Sequence, residues 1–94
     1  MKTIDDIKHL INTNQREEAL TALDMLLSLG PNNIDALALK STLLAQEGRF
    51  AEEHKIWERI LSLEPENTDA LDYLEQQKHI GEEHYASAGL SLNF

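Results

Sequence analysis

The chain has no cysteine, which removes disulfides, thiolate metal sites and thiol nucleophiles together. Aromatic residues make up only 5%, and Phe50, Trp57, Tyr73, Tyr85 and Phe94 are the complete set. A core must therefore be built mostly from Leu, Ile and Ala, common fillers of helical packing. Basic residues are also few: 8 Lys and Arg stand against 17 Asp and Glu, a formal net charge of −9. Nucleic-acid binders need clustered Lys and Arg to displace counterions from phosphates, and no such cluster is present. An anionic membrane surface repels the chain for the same reason. No apolar run approaches the roughly 20 residues of a membrane span. The opening segment, MKTIDDIKHL, lacks the apolar core of a secretory signal. Cytoplasmic residence is the expectation, unless the chain is a piece cut from a larger exported protein.

What is present is repetition. Residues 28–37 read SLGPNNIDAL and residues 62–71 read SLEPENTDAL, sharing S-L-x-P-x-N-x-D-A-L. In a chain of 94 residues, 41% of them hydrophobic, this is one small folded domain said partly twice. Thr3 followed by Asp6 has the spacing of a capping box, and Ile4, Ile7 and Ile11 with Leu10 form one face of a helix. Asn14 followed by Glu17 is a second start signal, and Ala19, Leu20, Leu23, Leu26 and Leu27 continue to the stop at Gly30–Pro31. Asn33 can cap a third helix carrying Leu37 and Leu44 up to Gly48. A fourth carries Phe50, Ile56, Trp57, Ile60 and Leu61 to Glu64–Pro65. A fifth is expected from about Asp69 to His79, capped by Asn67 or Thr68 and closed by Gly81. Short turns force consecutive helices antiparallel, so the chain is all-α, built of helical hairpins. One hairpin cannot cover its own apolar stripe and needs a neighbour stacked on it.

In these features the sequence resembles the tetratricopeptide repeat (TPR) family, whose pattern W-x₂-L-G-x₂-Y…A-x₃-F…P recurs about every 34 residues. The two copies beginning at Ser28 and Ser62 have that spacing. Repeat 2, about 34–67, carries Leu37, Ser41 and Leu44 at the family's Trp, Gly and Tyr sites. It places Trp57 at the large apolar site of its second helix and ends with Pro65. Lys40 and Glu53 depart from the usual Leu and Ala and are expected to loosen packing unless their stems snorkel to water. Repeat 1, about 3–33, fits if its inner turn is one residue shorter. Ile4, Ile7 and Ile11 then match the first helix, and Lys8 falls on the small-residue site. In the third unit Leu71 and Leu74 match but Glu75 and Lys78 replace the Gly and Tyr, so residues 68–80 read as a capping helix. The resemblance implies a TPR-like domain over 3–80, five helices stacked as a short right-handed α-solenoid, with a flexible tail at 81–94. Trp57 is expected to bury near Leu44 on the third helix and near Leu71 or Leu74 on the fifth.

The resemblance also implies a function: a non-enzymatic adaptor or scaffold holding a peptide of another protein on the concave face lined by each hairpin's first helix. Carried over by position, that face holds Asp5, His9 and Asn12 with Lys2 from the first helix. The third adds Asp35, Thr42 and Gln46 with Ala38 and Ala45, and the fifth adds Asp69, Asp72 and Gln76. Family members that clamp a carboxylate use basic residues there. Asp5 and Asp72 stand in place of two such lysines, so a segment bearing Lys or Arg is the expected partner. Acidic residues in first helical turns, such as Asp35 and Asp69, also complement the helix dipole with nothing bound. Self-association of the short repeat stack, as a homodimer through its C-terminal end, is the alternative, as is a repeat fragment of a larger protein.

Catalytic equipment is not legible, and no cofactor or metal is expected. Glu53–His54 lacks the second histidine of H-E-x-x-H. Gly81 breaks any helix that would align His79 with Glu83 and His84, and Ser87 and Ser91 lie in a tail without a scaffold for nucleophile and base. The carboxylate pairs Asp5–Asp6, Glu52–Glu53 and Glu82–Glu83 diverge by about 100° on a helix and do not converge on one substrate. In the tail, Ala86, Ala88, Leu90, Leu92 and Phe94 alternate with small polar residues. That pattern leaves open disorder, docking onto the stack, or the first strand of a β-domain in a longer parent.

Overall fold

In the computed structural model, which describes residues 2–78, the first helix begins at its capping signal. The Thr3 hydroxyl accepts from the Asp6 N–H at 3.2 Å, and the Asp6 carboxylate accepts from the Thr3 N–H at 2.9 Å. This capping box opens α1 (Ile4–Asn12) and satisfies two N–H groups that a helix start otherwise leaves without partners. Next come α2 (Arg16–Leu29), α3 (Ile34–Gln46) and α4 (Phe50–Leu63). A fifth helix, α5, starts at residue 68 and continues to residue 78. No strand occurs among the described residues, and no helix among them is long and apolar enough to cross a membrane. The expected closure of α5 at 79–80 and Gly81, the histidines at 79 and 84, and the 81–94 tail lie outside the described residues.

The turns correct the first repeat's register. Asn14 does not cap α2: the cap is Gln15, with no side-chain hydrogen bond. Asn14 instead takes φ +62°, a left-handed conformation that Asn tolerates better than most residues with a Cβ. Gly48, at φ +76°, holds the same place between α3 and α4. The two turns match bond for bond: the Gln15 N–H donates to the Leu10 carbonyl at 2.8 Å and the Arg49 N–H to the Leu44 carbonyl at 2.9 Å. The helices that follow each hairpin are capped alike, with Asn33 Oδ1 accepting from the Ala36 N–H at 3.1 Å and Asn67 Oδ1 from the Ala70 N–H at 2.9 Å. Asn14 and Gly48, like Asn33 and Asn67, are as far apart as Ser28 and Ser62, the starts of the two sequence copies. The inner turn of the first hairpin is therefore full length, and it is α1 that is short, at 9 residues against 13 for α3. Leu10, not Ile11, is the counterpart of Leu44, Ile7 takes the small-residue site of Ser41, and Lys8 is exposed.

Consecutive helices pack against each other, α3 most extensively with α4, and α1 also reaches α3. Joined by such short turns, they form antiparallel hairpins. Helix α3 is apolar nearly all round because it serves two cores. Ala36 and Leu43 join Ile7, Leu10, Ala19, Ala22 and Leu23 on the side of the first hairpin. Leu37 joins Trp57, Ile60, Ala70 and Tyr73 on the other side, where α4 and α5 meet it. Ser41, fully buried, lets α3 approach its neighbours, and its hydroxyl donates to the Ala38 carbonyl at 2.7 Å. Lys40, on α3, is partly buried and its ammonium reaches Asp24 on α2 at 2.7 Å. Its exposed pair contributes at most about 1 kcal/mol.

Candidate functional site

Residues of α3, α4 and α5 line an open, shallow concavity of about 500 Å³. Its floor comes from α4. Trp57 is buried there, its ring stacked on Tyr73 of α5 with centroids 5.5 Å apart and planes 23° from parallel. Leu74 packs against the same cluster, as expected, but Leu71 is 46% exposed. The reason is helical phase: Ala70, Tyr73 and Leu74 follow the i, i+3, i+4 spacing that faces α3 and α4, and Leu71 points about 100° away from that stripe. Its equivalent, Leu37, is covered by the second helix of its own hairpin, and α5 has no such partner among the described residues.

Glu53 departs from the sequence expectation. Its place on a small-residue site predicts loosened packing, yet the residue is buried and its Oε2 accepts the Trp57 indole N–H at 3.3 Å, one helical turn along α4. A buried indole N–H needs such a partner. Glu53 also forms part of the concave wall. Its other oxygen, Oε1, takes no hydrogen bond, and no fully buried side-chain polar atom among the described residues lacks one. Oε1 therefore retains some access to solvent.

Around this floor, α3 contributes Thr42 beside Ala38, and α5 contributes Asp69, Asp72 and Gln76. Four of the nine residues expected on a binding face thus meet in one concavity. Asp35, Asn12 and Gln46 do not line it. Asp5 and His9 fall elsewhere because of the register: they occupy the positions that Leu39 and Leu43 hold in the second hairpin. There they are exposed on the first hairpin's open side. Among the described residues no Lys or Arg pairs with Glu53, Asp69 or Asp72. The local potential is negative. Burial, and then the charges of Glu53 and Glu58, push the Tyr73 hydroxyl above its ordinary value. His54 lies at the edge, with Nδ1 3.3 Å from the Tyr73 hydroxyl and Nε2 3.6 Å from Glu58.

A larger furrow of about 760 Å³ runs along α1 and α2 past Asp6, Glu17, Glu18 and Met25. It includes Lys2, which offsets its acids, and it lacks an aromatic wall.

Fold and site together define an all-helical chain of packed antiparallel hairpins with an acidic, aromatic-floored concavity. Compared with protein-family models, curated proteins and solved structures, the chain finds no match.

Proposed function

We infer that the protein is a non-enzymatic interaction module, a short TPR-like α-solenoid that holds a basic segment of another protein in the α3–α4–α5 concavity. The observation that carries this reading is the concavity itself, in which three carboxylates, without a Lys or Arg partner among the described residues, border a space lined by two aromatic rings. Its volume lies in the range of ligand pockets, roughly 300–1,000 Å³. The constant offset of caps and turns between the hairpins supports a repeat architecture, and such architectures work through extended concave surfaces. Nothing in the reading needs a cofactor or metal, nucleic acid or membrane, and a cytoplasmic partner is its natural context.

Selection from a random peptide display library tests it, using the intact chain beside a Thr42→Trp variant whose indole fills the concavity. Peptides that bind the native chain and lose the variant support the reading. Recovery of no peptide, or of peptides indifferent to Thr42→Trp, removes it.

One observation favours self-association as a second reading. Met25, Leu29, Phe50 and Leu71 are all exposed, Leu29 by 70%, and a second copy would cover some of that surface. Sedimentation velocity at micromolar concentration separates the two, because a clean monomer with a cooperative melt leaves self-association without support.

A further inference from the structure

We propose that the α3–α4–α5 concavity is a guanidinium pocket, specific for an arginine side chain of the partner rather than for positive charge in general. The inference rests on the reading of this concavity as a peptide-binding site and adds what is recognised there. Its starting point is Glu53. This side chain is 8% exposed, and a carboxylate so buried is stable when it is paired. One of its oxygens accepts from the Trp57 indole at 3.3 Å, the other takes no hydrogen bond, and the residue lines the space. Asp69 and Asp72 border the same space from α5, also without a cation among the described residues. A lysine ammonium is a compact, strongly hydrated point charge with three donors, and it loses much hydration on entering a partly buried acidic site. A guanidinium presents five N–H donors in a planar fork and sheds water more readily. Its plane also suits the aromatic floor of Trp57 and Tyr73, which attracts cations through the ring quadrupole.

The geometry further assigns Glu53 two tasks. Its indole hydrogen bond holds Trp57 in place, and its other oxygen is left to accept from the partner. Replacement by Gln keeps an acceptor for the indole but removes the charge, so Glu53→Gln separates the two tasks.

The test follows the Trp57 indole signal by NMR in the full chain, titrated with three probes: N-acetyl-arginine amide, N-acetyl-lysine amide and N-acetyl-citrulline amide. Citrulline keeps the shape of arginine and loses its charge. The expected result is a saturable shift of the Trp57 indole and of amides 69–76 with the arginine probe. The lysine probe should bind several-fold more weakly, and the citrulline probe should give no response. Glu53→Gln should weaken the arginine probe about tenfold, the effect of one charge-assisted hydrogen bond. Asp72→Asn, at an exposed position, should also weaken it and serves if Glu53→Gln fails to fold. Equal shifts from arginine and citrulline, equal binding of arginine and lysine, or no saturation overturns the pocket. If the probes fail while display-selected peptides remain sensitive to Thr42→Trp, the guanidinium pocket falls and the interaction module stands. If the arginine probe binds while no peptide is recovered, the pocket stands and the module falls.

Discussion

Glu53 is buried, yet it makes a hydrogen bond that a small residue in its place would leave unmade. Its truncation should therefore cost more than its replacement by an isostere. Glu53→Ala strands the indole N–H and should destabilise the fold by about 1–3 kcal/mol, whereas Glu53→Gln should stay near native stability. Chemical denaturation of both variants checks this, and equal losses would mean that the indole bond carries no weight. Trp57 contributes more. Trp57→Ala removes a buried ring from the cluster of Leu37, Ile60, Ala70 and Tyr73, at about 3–5 kcal/mol. A domain this small has little more than that in total, so circular dichroism of the variant should show a largely unfolded chain at room temperature. The native emission of Trp57 should be blue-shifted and move red on unfolding. At the start of α1, the Thr3 backbone N–H, followed by the Thr3 side chain, holds the Asp6 carboxyl below its ordinary value of 3.8. A depressed folded-state value means stability that is present above the ordinary value and lost as pH falls through the lowered one. Thermal melts of the native chain and Asp6→Asn should differ near neutrality and converge as pH drops below 3.8. A gap that does not change with pH would argue against the capping carboxylate as its source.

At the scale of elements, the turns carry the repeat. Asn14 and Gly48 hold equivalent left-handed positions in the two hairpins, and they should respond oppositely to substitution. Gly48→Ala forces a Cβ into φ +76° and should cost about 1 kcal/mol or more, although the space around that Cβ is open. Asn14→Gly relieves the same strain and should be neutral or stabilising. Denaturant midpoints of the two variants check the pair, and a loss in both would place the determinant outside the backbone conformation. The same turns show how far the fold is legible in the sequence. The Thr3 capping box, the Asn33 cap and the all-helical class are readable, because side-chain caps and 3.6-residue periodicity are local signals. The first repeat's register is not, because a run such as Ile4, Ile7, Leu10 and Ile11 suits two adjacent registers equally well. The left-handed Asn14 decides between them, and its residue type alone suggests a cap. In the site, Thr42, Asp69, Asp72 and Gln76 are legible from the repeat positions of the first helices. Glu53 and Tyr73 are not, because their roles depend on how α4 and α5 meet. A carboxylate at a small-residue site reads as a defect until the indole beside it is placed.

The whole molecule is an acidic chain of net charge −9, with carboxylates that have no Lys or Arg partner among the described residues gathered beside Trp57 and Tyr73, and a furrow containing Lys2 along α1 and α2. A basic peptide is drawn to all of this surface, and at roughly 0.1 M salt that attraction is largely screened beyond about 10 Å. What distinguishes a binding site from a general counterion atmosphere is therefore location, not attraction. The central claim is that the concavity of α3, α4 and α5 is the site where a partner segment is held. The most direct measurement is amide-resolved NMR of the full chain at physiological salt, titrated with an arginine-bearing peptide. The account predicts shifts concentrated at Ala38, Thr42, residues 69–76 and the Trp57 indole, with Glu17, Glu18 and Met25 unmoved. Shifts spread evenly over the acidic surface, or centred on the α1–α2 furrow, would contradict it.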